Sequence, residues 1–172
     1  MNAVKTDDIP TEIRPATPAD IPAIVRVTNL AYEVEAFCLE GRRIDAEEVR
    51  ERMESGQFLV IEDASDASVL RGSAYMSVVD GRGYLGLLSV DPACQGRGLA
   101  RALITAVEVR SRLAGCSFLD ITVVNLRKEL FPFYTKLGFA PAAILPFPRP
   151  QKMLQPLHLV QMTKALRPVE EL

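Results

Sequence analysis

The chain has 172 residues, 48% of them hydrophobic and 24% charged. That balance fits one ordinary globular domain, able to bury about 70% of its unfolded surface without disulfides or a structural metal. A formal net charge of −2 excludes the basic footprint of a duplex-binding protein, and apolar stretches such as residues 84–90 are too short to cross a bilayer.

Residues 1–11 are polar and unpatterned, an expected tail. Asp7 and Asp8 stand where a secretory signal needs an apolar run, so a cytoplasmic chain is expected. Residues 12–16 alternate weakly, as an edge strand does. Thr17-Pro18-Ala19-Asp20 then offers a helix start, with a capping hydroxyl, an early proline and a carboxylate three residues on. The stripe Ile21, Val25, Thr28, Tyr32, Glu35 predicts one inward helical face. A second helix start lies at Asp45 with Glu48, and its stop near Gly56.

The period then changes. Residues 58–62, 69–79 and 83–90 read as three strands joined by links of turn composition, hence antiparallel neighbours. Asp91-Pro92 stops the third. Leu99, Leu103, Ala106, Val107 and Leu113 define a helical face that ends at Gly115. Residues 118–124 are rich in β-branched residues and predict a central strand, and a short helix is expected over 132–137, stopped by Gly138. Residues 139–145 and 157–164 can pair across a bend holding Pro146, Pro148, Pro150 and Pro156. The expected class is α+β: a single domain over 12–166, with 167–172 as a tail and a mixed, mostly antiparallel, twisted sheet flanked by about four helices.

Chemistry concentrates where the third strand gives way to a helix, from Leu87 to Ala100. Gly96 and Gly98 stand at the helix mouth, where the first backbone amides lack partners and the dipole is positive, and Arg97 adds a full charge. The combination suits an anion such as a diphosphate; a tight turn that needs glycine only for its dihedrals is the plainer explanation. The Gly-Lys-Ser/Thr of a P-loop is absent. A dinucleotide fingerprint fails at Arg101, although Asp120 lies near the distance of a ribose ligand. With three scattered cysteines (Cys38, Cys94, Cys116) and one histidine, His158, ligands for a metal or for a histidine-driven triad are few; no metal is expected, and the thiols are expected to be reduced.

Gln95-Gly96-Arg97-Gly98-Leu99-Ala100, with the strand ending Leu88-Ser89-Val90-Asp91-Pro92 before it and Asn125 and Tyr134-Thr135-Lys136-Leu137-Gly138-Phe139 after it, resembles the GNAT superfamily of acyl-CoA-dependent N-acyltransferases. The likeness spans nearly the whole chain. It implies that Gln95, Gly96, Arg97, Gly98, Leu99 and Ala100 bind the diphosphate of acetyl-CoA. Leu88, Ser89 and Val90 would pair with the pantetheine arm, Asn125 would contact it from the opposite strand, and a Leu88 or Val90 amide would polarise the thioester carbonyl. It also makes Tyr134 a cofactor contact and the general acid for the departing thiolate. Each assignment has a plainer rival: Asn125 as a strand-end cap, Tyr134 as a core aromatic beside Phe131, Phe133 and Phe139.

Glu35, at the end of the first inward stripe, is the candidate base, with an ion pair to Arg42 or Arg43 as the rival role. His158 is a weaker candidate. The expected activity is acetyl transfer from acetyl-CoA to an unidentified primary amine by direct attack in a ternary complex, not through Cys94. The alternative is a GNAT-like module that binds acyl-CoA without turnover, and a nicotinamide-dependent oxidoreductase is a distant third. Glu33, Glu35 and Glu40 hint at a cationic acceptor; Arg42 and Arg43 oppose that hint. A homodimer is an expected assembly, and no nucleic-acid or membrane partner is expected.

Overall fold

A computed structural model describes residues 12–169; the expected tail over 1–11 and the last three residues lie outside the described part. Seven strands form one sheet in the order β1-β2-β3-β4-β5-β7-β6. The strands are β1 (Ile13–Pro15), β2 (Gln57–Glu62), β3 (Leu70–Val79), β4 (Arg82–Val90), β5 (Phe118–Val124), β6 (Ala140–Pro146) and β7 (His158–Ala165). Four helices flank them: α1 (Ile21–Tyr32), α2 (Ala46–Ser55), α3 (Leu99–Leu113) and α4 (Leu130–Lys136). Every neighbouring strand pair is antiparallel except β4 with β5, which the α3 crossover makes parallel.

Local chemistry explains most boundaries. The Thr17 N–H donates to the Asp20 carboxylate at 2.7 Å, and Arg14 forks onto both Asp20 oxygens at 2.8 Å. That pairing holds the Asp20 carboxyl below the usual range. One 3₁₀ turn, Pro18–Asp20, precedes α1, so the regular helix starts later than the Thr17 signal suggests. Asp45 caps α2 by accepting from the Glu48 N–H at 2.9 Å. The β3–β4 turn places Asp80 and Gly81 at φ of 52° and 72°, the pair of left-handed residues that a tight hairpin of this twist demands.

Two expectations about helix faces need correction. On α1 the buried residues are Ile21, Ile24, Val27 and Thr28, which pack on β3 and β4; Val25 and Tyr32 are only half-buried. The stripe that includes them borders cavities, because α1 meets the sheet along one seam and overhangs open space on the adjoining flank. On α3 the buried row is Leu99, Leu103, Val107 and Ser111. Leu113, expected inward, is 70% exposed, since a residue two beyond Ser111 faces away from it. The last helix begins at Leu130, two residues early, with Pro132 in its first turn, where a missing N–H costs nothing. Apolar side chains pack on both faces of the sheet: α3 and α4 cover one, α1 and α2 the other.

Candidate active site

β4 and β5 pair only over Arg82–Tyr84 with Phe118–Asp120, and beyond that point they diverge. β4 is also kinked there: its register against β3 shifts between Ser73 and Tyr75, and Leu87 adopts φ of 50°. A bulge of this kind bends a strand and re-aims its groups. The Ser89 hydroxyl donates to the Leu87 carbonyl at 2.8 Å and satisfies a backbone oxygen that the bulge displaces. The parting strands open a cleft of about 830 Å³, with Leu88 and Val90 on one wall and Thr122, Val123 and Val124 on the other.

One end of the cleft is the mouth of α3. Gln95, Gly96, Gly98, Leu99 and Ala100 line it, joined by Arg101. Gly96 and Gly98 have φ of 78° and 80°, the left-handed region that costs other residues about 1–2 kcal/mol. A Cβ built on either meets nothing within 4 Å, so the loop needs glycine for its backbone path and leaves the approach to the amides open. Gly98, as N-cap, offers no side chain to the first turn of α3, whose N–H groups therefore await an acceptor. Below the mouth, Asp91 accepts from the Ala93 N–H at 3.0 Å, and Arg71 bridges Asp63 and Asp91 at 2.7 and 2.9 Å. The loop is held from beneath while its upper surface stays clear, and this arrangement fits a diphosphate.

At the other end stand Tyr134, Tyr32, Glu35 and Arg127. Tyr134 is buried on α4 with its ring edge-on to Phe133 and Phe139, at centroid distances of 5.1 and 5.7 Å. Burial pushes its phenol above the ordinary tyrosine range, and the neighbouring Tyr32 and Tyr84 add to the shift. Burial likewise raises Tyr32 to about 12. Both hydroxyls keep their protons at neutral pH.

Glu35 accepts from Arg127 at 3.0 Å, with side-chain exposures of only 8% and 13%. Burial lifts the Glu35 carboxyl above the usual carboxylate range, while Arg127 and Arg43 pull the other way. The ion pair anticipated with Arg42 or Arg43 is made with Arg127 instead, a partner 92 positions along the chain. Arg127 also reaches the exposed Glu129 at 2.6 Å.

Not every anticipated residue faces the cleft. Ser89 is buried against the Leu87 carbonyl, and Arg97 is exposed outside the lining. The Asn125 Oδ1 accepts from the His158 N–H at 2.9 Å, and the Asn125 N–H donates to the His158 carbonyl at 3.0 Å. Asn125 thus clasps the end of β5 to the start of β7, and its partner is a backbone. His158 is half-buried at that junction. Asp120 is held by Arg82 at 2.7 and 2.8 Å and by Thr163 at 2.6 Å, so it is not free to bind a ribose. Among the described residues no group of acidic, cysteine or histidine side chains could hold a metal ion, and no helix is long and apolar enough to cross a membrane.

Sequence reasoning missed Arg127, Tyr84 and Phe133 as cleft residues. Tyr32 had a signal in its stripe, and Phe147 one in the proline-rich bend that carries it. A second pocket of about 530 Å³ adjoins the cleft, sharing Tyr32, Glu35, Leu39, Arg43, Phe147 and Arg149 with it.

Comparison with known proteins agrees with this geometry. A family model described as an acetyltransferase (GNAT) domain matches residues 29–144. A mycothiol acetyltransferase of Propionibacterium freudenreichii subsp. shermanii is 29% identical over 130 residues, 70% of this chain and 40% of that protein. The chain therefore spans about two fifths of the length of that curated relative. The ribosomal-protein-S18-alanine N-acetyltransferase of Escherichia coli superposes with a TM-score of 0.72 at 19% identity, over 93% of this chain and 96% of that one. A Salmonella typhimurium protein solved with its cofactor acetyl-CoA superposes with a TM-score of 0.66 at 24% identity, over 93% and 96% of the two chains. With the domain match covering more than half of the sequence and the parted strands and glycine mouth in place, the chain belongs to the GNAT acetyltransferase domain family.

Proposed function

We propose that this chain moves an acetyl group from acetyl-CoA to a primary amine by direct attack, with both substrates bound together. The observation that carries the reading is the cleft itself. Unpartnered helix amides and glycine backbone stand at one end, the buried Glu35 and Tyr134 stand at the other, and between them runs the edge of β4 that β5 leaves unpaired.

Gln95, Gly96, Gly98, Leu99 and Ala100 hold the diphosphate through backbone N–H groups. The edge of β4 from Leu88 to Val90, released from β5, takes the pantetheine arm as a strand takes a neighbour. Acetyl-CoA supplies an acyl carbon activated by a sulfur leaving group. The Leu88 or Val90 N–H stabilises negative charge developing on the acyl oxygen. Glu35, its carboxyl raised by burial and oriented by Arg127, removes a proton from the incoming ammonium, whose nitrogen pair forms the new C–N bond. Tyr134, kept protonated by its burial, delivers a proton to the sulfur as the C–S bond breaks, and the extra proton on the attacking nitrogen leaves as the amide forms and restores the phenol.

The test is release of free coenzyme A thiol across a panel of amines, with acetyl-CoA and amine varied together. Intersecting initial-velocity lines are expected. Parallel lines would replace the ternary complex with a covalent route, and acetyl-CoA binding without thiol release from any amine would leave a binder and no enzyme. For Glu35, activity should fall as pH drops through a value above the ordinary carboxylate range, and Glu35→Gln should abolish that limb.

A further inference from the structure

The chemistry of the acceptor follows from the charges that the cleft collects, given the transfer reaction proposed above. In a chain of net charge −2, the described residues lining the large cleft include five arginines, Arg43, Arg52, Arg101, Arg127 and Arg149, and one carboxylate, Glu35. Three of these arginines already have work. Arg127 neutralises Glu35, Arg149 pairs with Glu48 at 3.1 Å, and Arg101 stands at the α3 mouth beside the diphosphate amides. Arg43 and Arg52 are left, and neither makes an ion pair among the described residues.

Each nevertheless rests against an aromatic ring. The Arg43 guanidinium lies 5.1 Å from the centroid of the Tyr32 ring, and that of Arg52 lies 5.1 Å from the Tyr75 ring. A cation–π contact of this kind restrains a guanidinium without using its N–H donors, and those donors suit a planar or tetrahedral oxyanion. Arg43 lies where the cleft meets the side pocket, whose lining adds the cations Arg26, Arg42 and Lys152 and the carboxylates Glu33 and Glu40. That pocket is bordered by the proline-rich loop, which is pinned beside it: the Glu40 N–H donates to the Lys152 carbonyl at 2.8 Å, and the Leu154 N–H to the Cys38 carbonyl at 2.9 Å. Arg43 lines both spaces, and Arg52 joins it in the large cleft, which Glu35 also lines.

We propose that the acceptor is a small primary amine carrying an oxyanion, carboxylate or phosphate, which Arg43 and Arg52 hold while the amine faces Glu35. This reverses the hint of a cationic acceptor in Glu33, Glu35 and Glu40: Glu35, the one of these that lines the large cleft, is matched by Arg127, and in the side pocket the three are outnumbered by Arg26, Arg42, Arg43, Arg149 and Lys152.

The experiment compares matched amines: O-phosphoethanolamine against ethanolamine, and glutamate against 1,4-diaminobutane, with thiol release as the readout and acetyl-CoA binding measured separately by calorimetry. An oxyanion-bearing member should exceed its partner at least tenfold in kcat/KM, and which one does so distinguishes carboxylate from phosphate. Arg43→Gln and Arg52→Gln should each raise the KM for that amine by about 10- to 100-fold, the range expected on losing charge-assisted hydrogen bonds. Neither should alter the KM for acetyl-CoA, and Arg52→Lys should recover part of the loss. The proposal is overturned if neutral or cationic amines react as well or better. It is also overturned if no oxyanion-bearing amine reacts while acetyl-CoA binds, or if the arginine variants weaken acetyl-CoA and the amine alike. Failure of acetyl-CoA to bind at all would overturn the parent reading instead.

Discussion

Replacing Arg127 with Met isolates what the buried ion pair does. Glu35 and Arg127 are 3.0 Å apart with exposures of 8% and 13%, so the substitution leaves a carboxylate desolvated with only Arg43 pulling on it. Removing one member of such a pair typically costs about 3–5 kcal/mol, and the help from Arg43 places the expected loss near the lower bound, about 3 kcal/mol. Set against a typical domain stability of about 5–15 kcal/mol, the loss is large and measurable by urea denaturation. It should also depend on pH with a definite sign. The folded-state carboxyl of Glu35 already sits above its unfolded value of 4.5 because of burial, and without Arg127 it rises further. A carboxyl shifted upward binds its proton more tightly when folded, so stability falls as pH climbs from the unfolded value through the folded one. Arg127→Met should therefore lose more at pH 8 than at pH 5. Adding Glu35→Gln should restore most of the loss, since removing both charges leaves no uncompensated ion. A loss below about 1 kcal/mol at pH 8, where a buried pair predicts about 3, or an equal loss at both pH values, would refute the idea that Glu35 is a buried charge compensated by Arg127.

Three further outcomes can be checked. Tyr134→Phe keeps the ring packing against Phe133 and Phe139 and so should melt like the wild type, while kcat falls by about 10²- to 10⁴-fold; an unchanged kcat assigns Tyr134 to packing. Gly98→Ala, at φ of 80°, should cost about 1–2 kcal/mol and raise the KM for acetyl-CoA more than that for the amine, as paired kinetic and melting measurements can show. Asp120→Asn removes the bidentate Arg82 contact and weakens the Thr163 one. Because Arg82 holds that carboxyl below its unfolded value of 3.8, its contribution is present above that value and fades as pH falls through the folded one. The variant should thus melt lower than the wild type at pH 7 and converge with it toward pH 2, as thermal melts across pH will record.

Features that one short segment settles were legible in the chain. Asp45 with Glu48, the Asp80-Gly81 turn, Gly115 and Gly138 act through backbone geometry within a few residues, and each marks a real boundary. The α3 mouth was legible for the same reason, since Gly96 and Gly98 answer to local dihedrals. Faces were harder. The α1 stripe read as core because its spacing is helical, but spacing cannot say which flank of a helix meets a sheet and which overhangs a cavity, and Val25 and Tyr32 fell on the second. Asn125 shows the same limit: its place at the end of β5 was visible, but its partner, the backbone of His158 on β7, was not.

What the amino-acid order determined by itself is the succession of elements and the glycine turn between β4 and α3, because helix caps, tight turns and alternation are short-range effects. What only the tertiary structure decided is the site. The parting of β4 from β5 goes with a kink at Leu87, the charge compensation of Glu35 depends on an arginine 92 residues away, and the availability of Arg43 and Arg52 depends on which carboxylates other cations have already taken. Each is a matter of long-range proximity, which local spacing does not encode.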